Sequence, residues 1–143
     1  MDPAYKNDAA SLYETALSDC NIALQLKPNL AAGYEKRGLI FLDLQRNEEA
    51  LRDADSLMKF QPENKLGYNM RGTAYLRLKE PINALADYEM CISLEKNDHR
   101  SYNNRGTIYH TYFHKYTEAL VEYTSALNIS PLGKCHLNGS YSY

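Results

Sequence analysis

A five-residue pattern, Tyr-x-x-Arg-Gly, occurs three times. It runs from Tyr34 to Gly38, from Tyr68 to Gly72 and from Tyr102 to Gly106, with one constant interval between successive copies. A fixed period of that length means a chain built from repeated supersecondary units, each burying its apolar face against its neighbours. Ala50 and Ala84 follow the first two glycines by twelve residues, whereas Ala119 follows Gly106 by thirteen. The third unit therefore carries one extra residue, expected in the turn around His114 to Tyr116. Each alanine is followed by a leucine (Leu51, Leu85, Leu120) and then an acid (Asp53, Asp87, Glu122), and Ala16, Leu17 and Asp19 repeat the series upstream.

Each unit reads as two helices. The first helices are expected near 30–44, 65–78 and 99–113, and the second near 47–60, 81–94 and 117–129, with an upstream copy of the second near 12–26. Pro28, Pro62 and Pro131 stop helices because proline lacks an N–H and clashes with the preceding turn. Asn29, Asn64 and Asp98 suit the N-caps that follow, and Pro81 suits a first turn. No segment shows sustained β alternation, so the fold class is all-α.

A glycine inside a helix costs about 1 kcal/mol relative to alanine. Gly38, Gly72 and Gly106 are therefore expected to permit a close approach, with Ala50, Ala84 and Ala119 on the return helix as their partners. Around each pair lie apolar residues expected in the core: Phe41, Leu51 and Leu57; Tyr75, Leu85 and Ile92; Tyr109, Leu120 and Leu127. Arg37, Arg71 and Arg105 are expected to pair with the acids at the second-helix position.

The pattern resembles the tetratricopeptide repeat, a helix–turn–helix unit of about 34 residues with an aromatic at position 4, glycine at 8, an aromatic at 11, alanine at 20 and proline at 32. Tyr34, Gly38, Phe41, Ala50 and Pro62 fit it, as do Tyr68, Gly72, Tyr75 and Ala84, and Tyr102, Gly106, Tyr109, Ala119 and Pro131 with the insertion allowed. The resemblance implies a right-handed α-solenoid of three full repeats and a leading half-repeat. It would span residues 1–131 (units near 1–30, 31–64, 65–98 and 99–131), with 132–143 as a flexible tail. Arg37, Arg71 and Arg105 depart from the family, where that position is commonly apolar.

The resemblance also implies a function. The first helices would line a concave groove that holds an extended peptide or partner segment, through Asn69, Thr73, Arg100, Asn103, Asn104, Thr107 and His110. Asparagine amides both donate and accept, so a row of them suits a peptide main chain. The clamp that some relatives use for chaperone C-terminal tails is not assembled, because its places hold Glu35, Leu39, Met70, Arg100 and Asn104. The alternative is a structural spacer, a fragment of a longer array that self-associates as a homo-oligomer through uncapped ends.

Other classes find little support. A net charge of −2 carries no basic stripe for nucleic acid, and no apolar run is long enough to span a membrane. No phosphate loop, nucleophile elbow or zinc-protease motif occurs, so an enzyme is not expected, nor a cofactor. His110 and His114 share a helix end without evident further ligands, so no metal site is expected. Cys20, Cys91 and Cys135 are too few and too scattered for a disulfide framework. The absence of a signal peptide in the opening residues points to the cytoplasm, with the nucleus left open.

Overall fold

The computed structural model describes residues 3–131, with side chains from residue 9 onward; the expected tail, 132–143, lies outside the described residues. Among the described residues seven helices follow in chain order: α1 (Pro3–Leu26), α2 (Ala31–Asp43), α3 (Asn47–Phe60), α4 (Lys65–Arg77), α5 (Pro81–Leu94), α6 (His99–Thr111) and α7 (Tyr116–Ile129). No strand occurs among the described residues. Each helix packs mainly on its chain neighbours, and α2 also touches α4. The result is a helical-repeat solenoid, in which α2–α3, α4–α5 and α6–α7 are successive hairpins.

Boundaries follow the expected signals with three differences. First, α1 is a single helix of 24 residues, starting well before the expected 12, because nothing in that stretch after Pro3 breaks a helix. Second, Asn29 does not cap α2. Leu30 occupies that place and makes no side-chain cap, whereas Asn64 accepts from the Leu66 N–H at 3.0 Å and Asp98 accepts from the Ser101 N–H at 3.4 Å. Third, the extra residue lies at 112–115, a turn one residue longer than those of the other two hairpins. It is absorbed by the closing bond. Arg46 and Glu80 donate to Phe41 and Tyr75, five positions back, whereas Lys115 donates to Tyr109, six back.

All three turns pass through a left-handed residue, Gln45, Lys79 or His114, with φ between 54° and 61°. That conformation reverses the chain at a helix C-terminus.

The repeat glycines are buried in their helices, but their nearest neighbours are not the alanines. A Cβ on Gly38 would collide with the Met70 methyl and lie 3.2 Å from Asp53 Cβ. On Gly72 it would meet the Tyr88 ring at 3.1 Å and Asp87 Cβ at 3.3 Å, and on Gly106 the Tyr123 ring at 2.9 Å and Glu122 Cβ at 3.2 Å. The close approach is thus to the acidic position in all three units, joined by the neighbouring tyrosine in the second and third and by Met70 in the first. Ala50, Ala84 and Ala119 are buried in the core without being the closest contact. Two leucines expected in that core, Leu120 and Leu127, are instead 59% and 41% exposed, since no described helix packs on the outer side of α7.

A second glycine pair escapes a reading built on Tyr-x-x-Arg-Gly. Gly33 and Gly67 repeat at the same interval. They seat each hairpin on the preceding one, where a Cβ would lie 2.9 Å from Leu24 of α1 or 2.6 Å from Met58 of α3. Ser101 is the third member, also fully buried.

Candidate functional site

Each repeat arginine binds the acid of its own hairpin, and two of the three also reach the preceding second helix. Arg37 donates to Asp53 through Nε (2.9 Å) and Nη2 (2.7 Å), and Arg105 donates to Glu122 at 2.8 and 2.9 Å. Arg71 binds Asp87 at 2.7 Å through Nη2. The remaining edge of the guanidinium reaches back to the previous second helix: Arg37 Nη1 to Asn21 at 2.9 Å and Arg71 Nη1 to Asp55 at 3.0 Å. Such fork-to-carboxylate geometry fixes orientation. The hydrogen bond to Asp87 raises the Arg71 pKa against burial, yet the Asp87 carboxyl is also raised, because burial outweighs the bond from Arg71. Asp87 is the deeper member, with its side chain 4% exposed against 29% for Arg71, so its desolvation governs. The pair sets geometry more than it adds stability.

The face built from the first helices carries a hollow of about 200 Å³, lined by Leu39, Leu42 and Asp43 of α2, Leu66, Asn69, Thr73 and Arg77 of α4, and Arg100 and Asn104 of α6. The mixture of leucines with amide, hydroxyl and guanidinium groups suits a segment that buries apolar side chains and offers backbone or acidic oxygens. Arg100 is exposed, and no described residue binds its guanidinium. Arg77 is already engaged, donating to the Leu42 carbonyl at 2.6 Å.

Of the residues expected to line a groove, Asn69, Thr73, Arg100 and Asn104 meet at this hollow. Asn103, Thr107 and His110 lie outside it. Asn103 is 1% exposed and its Oδ1 lacks a partner, so it forms no accessible row with Asn69. The Thr107 hydroxyl donates to the Asn103 carbonyl at 3.0 Å and accepts from Tyr123 at 3.3 Å. Thr73 is similarly tied to the Tyr88 hydroxyl at 3.1 Å. His110 packs edge-on against Tyr116, with ring centroids 5.2 Å apart. No sequence signal marks Asp43 and Arg77; both sit at the C-terminal ends of first helices, and only the stacking of hairpins carries them to the hollow. Met70, which holds one of the clamp places, is 1% exposed beneath Gly38.

A larger hollow, about 410 Å³, lies between α1, α2 and α3 and holds Arg37, Arg46, Glu49 and Asp53. Four of its charges are spent on one another as Arg37–Asp53 and Arg46–Glu49, and the fifth, Arg52, is exposed to solvent. Among the described residues no group of three His, Cys, Asp or Glu is placed to hold a metal, and Cys135 and His136 lie outside the described residues. Cys20 and Cys91 are buried free thiols, and no helix of the described chain is long and apolar enough to cross a membrane.

Residues 67–98 match the family profile of the tetratricopeptide repeat. No curated protein matches the sequence. Among solved structures, MamA from Desulfovibrio magneticus is similar at a TM-score of 0.79 and 15% identity, covering 89% of this chain and 71% of that one. The first tetratricopeptide domain of Spaghetti (RPAP3), solved bound to the HSP90 peptide SRMEEVD, is similar at 0.68 and 24% identity, covering 73% and 82%. YrrB, described as having an unusual peptide-binding site, is similar at 0.72 and 23% identity, covering 90% and 66%. At these identities the likeness is one of fold.

Proposed function

We propose that the chain is a tetratricopeptide-repeat protein and a non-catalytic interaction module holding an extended segment of a partner protein on its first-helix face. The observation that carries this reading is the hollow between α2, α4 and α6, where Leu39 and Leu66 lie beside Asn69 and the uncommitted Arg100. Asn69 would hold main chain, the leucines would take an apolar side chain, and Arg100 would take an acidic oxygen. RPAP3 and YrrB, of similar fold, are tied to peptides by their descriptions. A chaperone tail is not the proposed ligand, since Glu35, Leu39, Met70, Arg100 and Asn104 do not form the carboxylate clamp. The proposed setting is cytoplasmic, where Cys20 and Cys91 stay reduced.

Selection of a displayed peptide library against the chain tests this. Selected peptides should shift the amide resonances of Leu39, Leu66, Asn69 and Asn104. They should lose affinity for an Asn69→Ala, Arg100→Glu variant. Peptides that map elsewhere, or bind that variant unchanged, would remove the reading.

A further inference from the structure

Helix α1 is a second helix by sequence register, but no described first helix packs against it as α2 packs against α3. Its acid shows the difference. Asp53 and Asp87 are each 3% exposed and Glu122 9%, all held by the arginine of their own hairpin. Asp19, at the corresponding place, is exposed, and no described residue binds it.

Beside Asp19 lies a cavity of about 370 Å³, bounded by Ala16, Cys20 and Ala23 of α1 and by Gly33 and Lys36 of α2. One repeat further along, the three α1 residues become Ala50, Ala54 and Leu57, each 0% exposed. Gly33 and Lys36 become Gly67 and Met70. Asp53 and Met70 are the residues that close over Gly38 of α2. The cavity is therefore the counterpart of the space that α2 fills one repeat later. The same register takes Leu26, 83% exposed, to Phe60, which stacks on Tyr34 with centroids 5.9 Å apart.

We infer that this face of α1 and α2 docks one amphipathic helix of a partner, carrying an aromatic residue and, three and four positions later, an arginine and a glycine. The arginine binds the Asp19 carboxylate, the glycine passes close to Asp19 Cβ and Lys36, and the aromatic ring covers Leu26. Charge complementarity selects the arginine, and the close approach seen at Gly38 selects the glycine. A second copy of this chain fits less well, because Arg37, Arg71 and Arg105 are each committed to their own hairpins. This surface is separate from the hollow on the first-helix face, so either reading can fail without the other.

The probe is a helix-stabilised peptide of residues 31–44, which carries Tyr34, Arg37 and Gly38, titrated into the full chain. Saturable binding should shift the resonances of Asp19, Cys20, Ala23 and Gly33 and leave Asn69 unmoved. Asp19→Lys should weaken it about tenfold or more through like-charge contact, and an Arg37→Glu peptide should recover affinity for Asp19→Lys alone. Asp19 is exposed, so the variant should keep its helical circular dichroism; Asp19→Asn serves if it does not. No binding, binding indifferent to Asp19, or a concentration-dependent dimer that Asp19→Lys dissolves would each overturn the inference, the last in favour of a second copy.

Discussion

Arg71 Nη2 donates to Asp87 Oδ1 at 2.7 Å while Arg71 Nη1 donates to Asp55 Oδ1 at 3.0 Å, so one guanidinium ties the second helices of two consecutive hairpins. Arg71→Leu should cost about 2–3 kcal/mol in urea unfolding, mostly from the buried Asp87 left without a partner. The double variant Arg71→Leu, Asp87→Leu should recover most of that loss. An Arg71→Leu chain as stable as the parent would show the bridge to be idle.

Gly106→Ala should destabilise by about 1–2 kcal/mol, because the roughly 1 kcal/mol gained in helix propensity is exceeded by overpacking against a ring. The obstacle is Tyr123, 4% exposed and anchored to Thr107. Gly38→Ala should cost less, since its nearest obstacle is the end of a flexible methionine, Met70. Thermal melts of the two variants should fall in that order.

Asp98 caps α6 through the Ser101 amide and also accepts from the Ser101 hydroxyl at 2.8 Å. Asp98→Ala should therefore cost about 1–2 kcal/mol. Asn29→Ala should change stability by no more than a few tenths, as expected for an exposed residue that caps nothing. Comparable losses in the two variants would contradict the cap assignment.

Burial pushes the Cys91 thiol from 9.0 up to about 12. Between those values the native state holds a proton that the unfolded state has lost, so the contribution is whole below pH 9 and drains away as pH rises towards 12. The decline should approach about 1.4 kcal/mol for each pH step from this one group. Cys91→Ser should flatten that slope in urea titrations, and iodoacetamide at pH 8 should leave Cys91 of the native chain unmodified.

Hairpin number, turn positions and arginine–acid partners were legible because each depends on spacing along one chain. Proline ends a helix wherever it falls, and a shift of one repeat period returns the same side chain to the same place in the next unit. The Gly33–Gly67 pair carried that same signal, hidden only because the third copy is Ser101. Burial was less legible. Asn69 and Asn103 are identical in residue type and register, yet Asn103 is 1% exposed and Asn69 lines the hollow.

The sequence alone determined the stacked-hairpin architecture, since helix stops, a fixed period and paired charges act locally or within one hairpin. Only the tertiary structure decided that the repeat glycines approach Asp53, Asp87 and Glu122 more closely than the alanines. It also decided that Met70 lies beneath Gly38, and that Asp43 and Arg77 share a hollow with Arg100. Helical periodicity states which side chains share a stripe. How far that stripe is turned toward the neighbouring hairpin depends on the packing of many side chains at once.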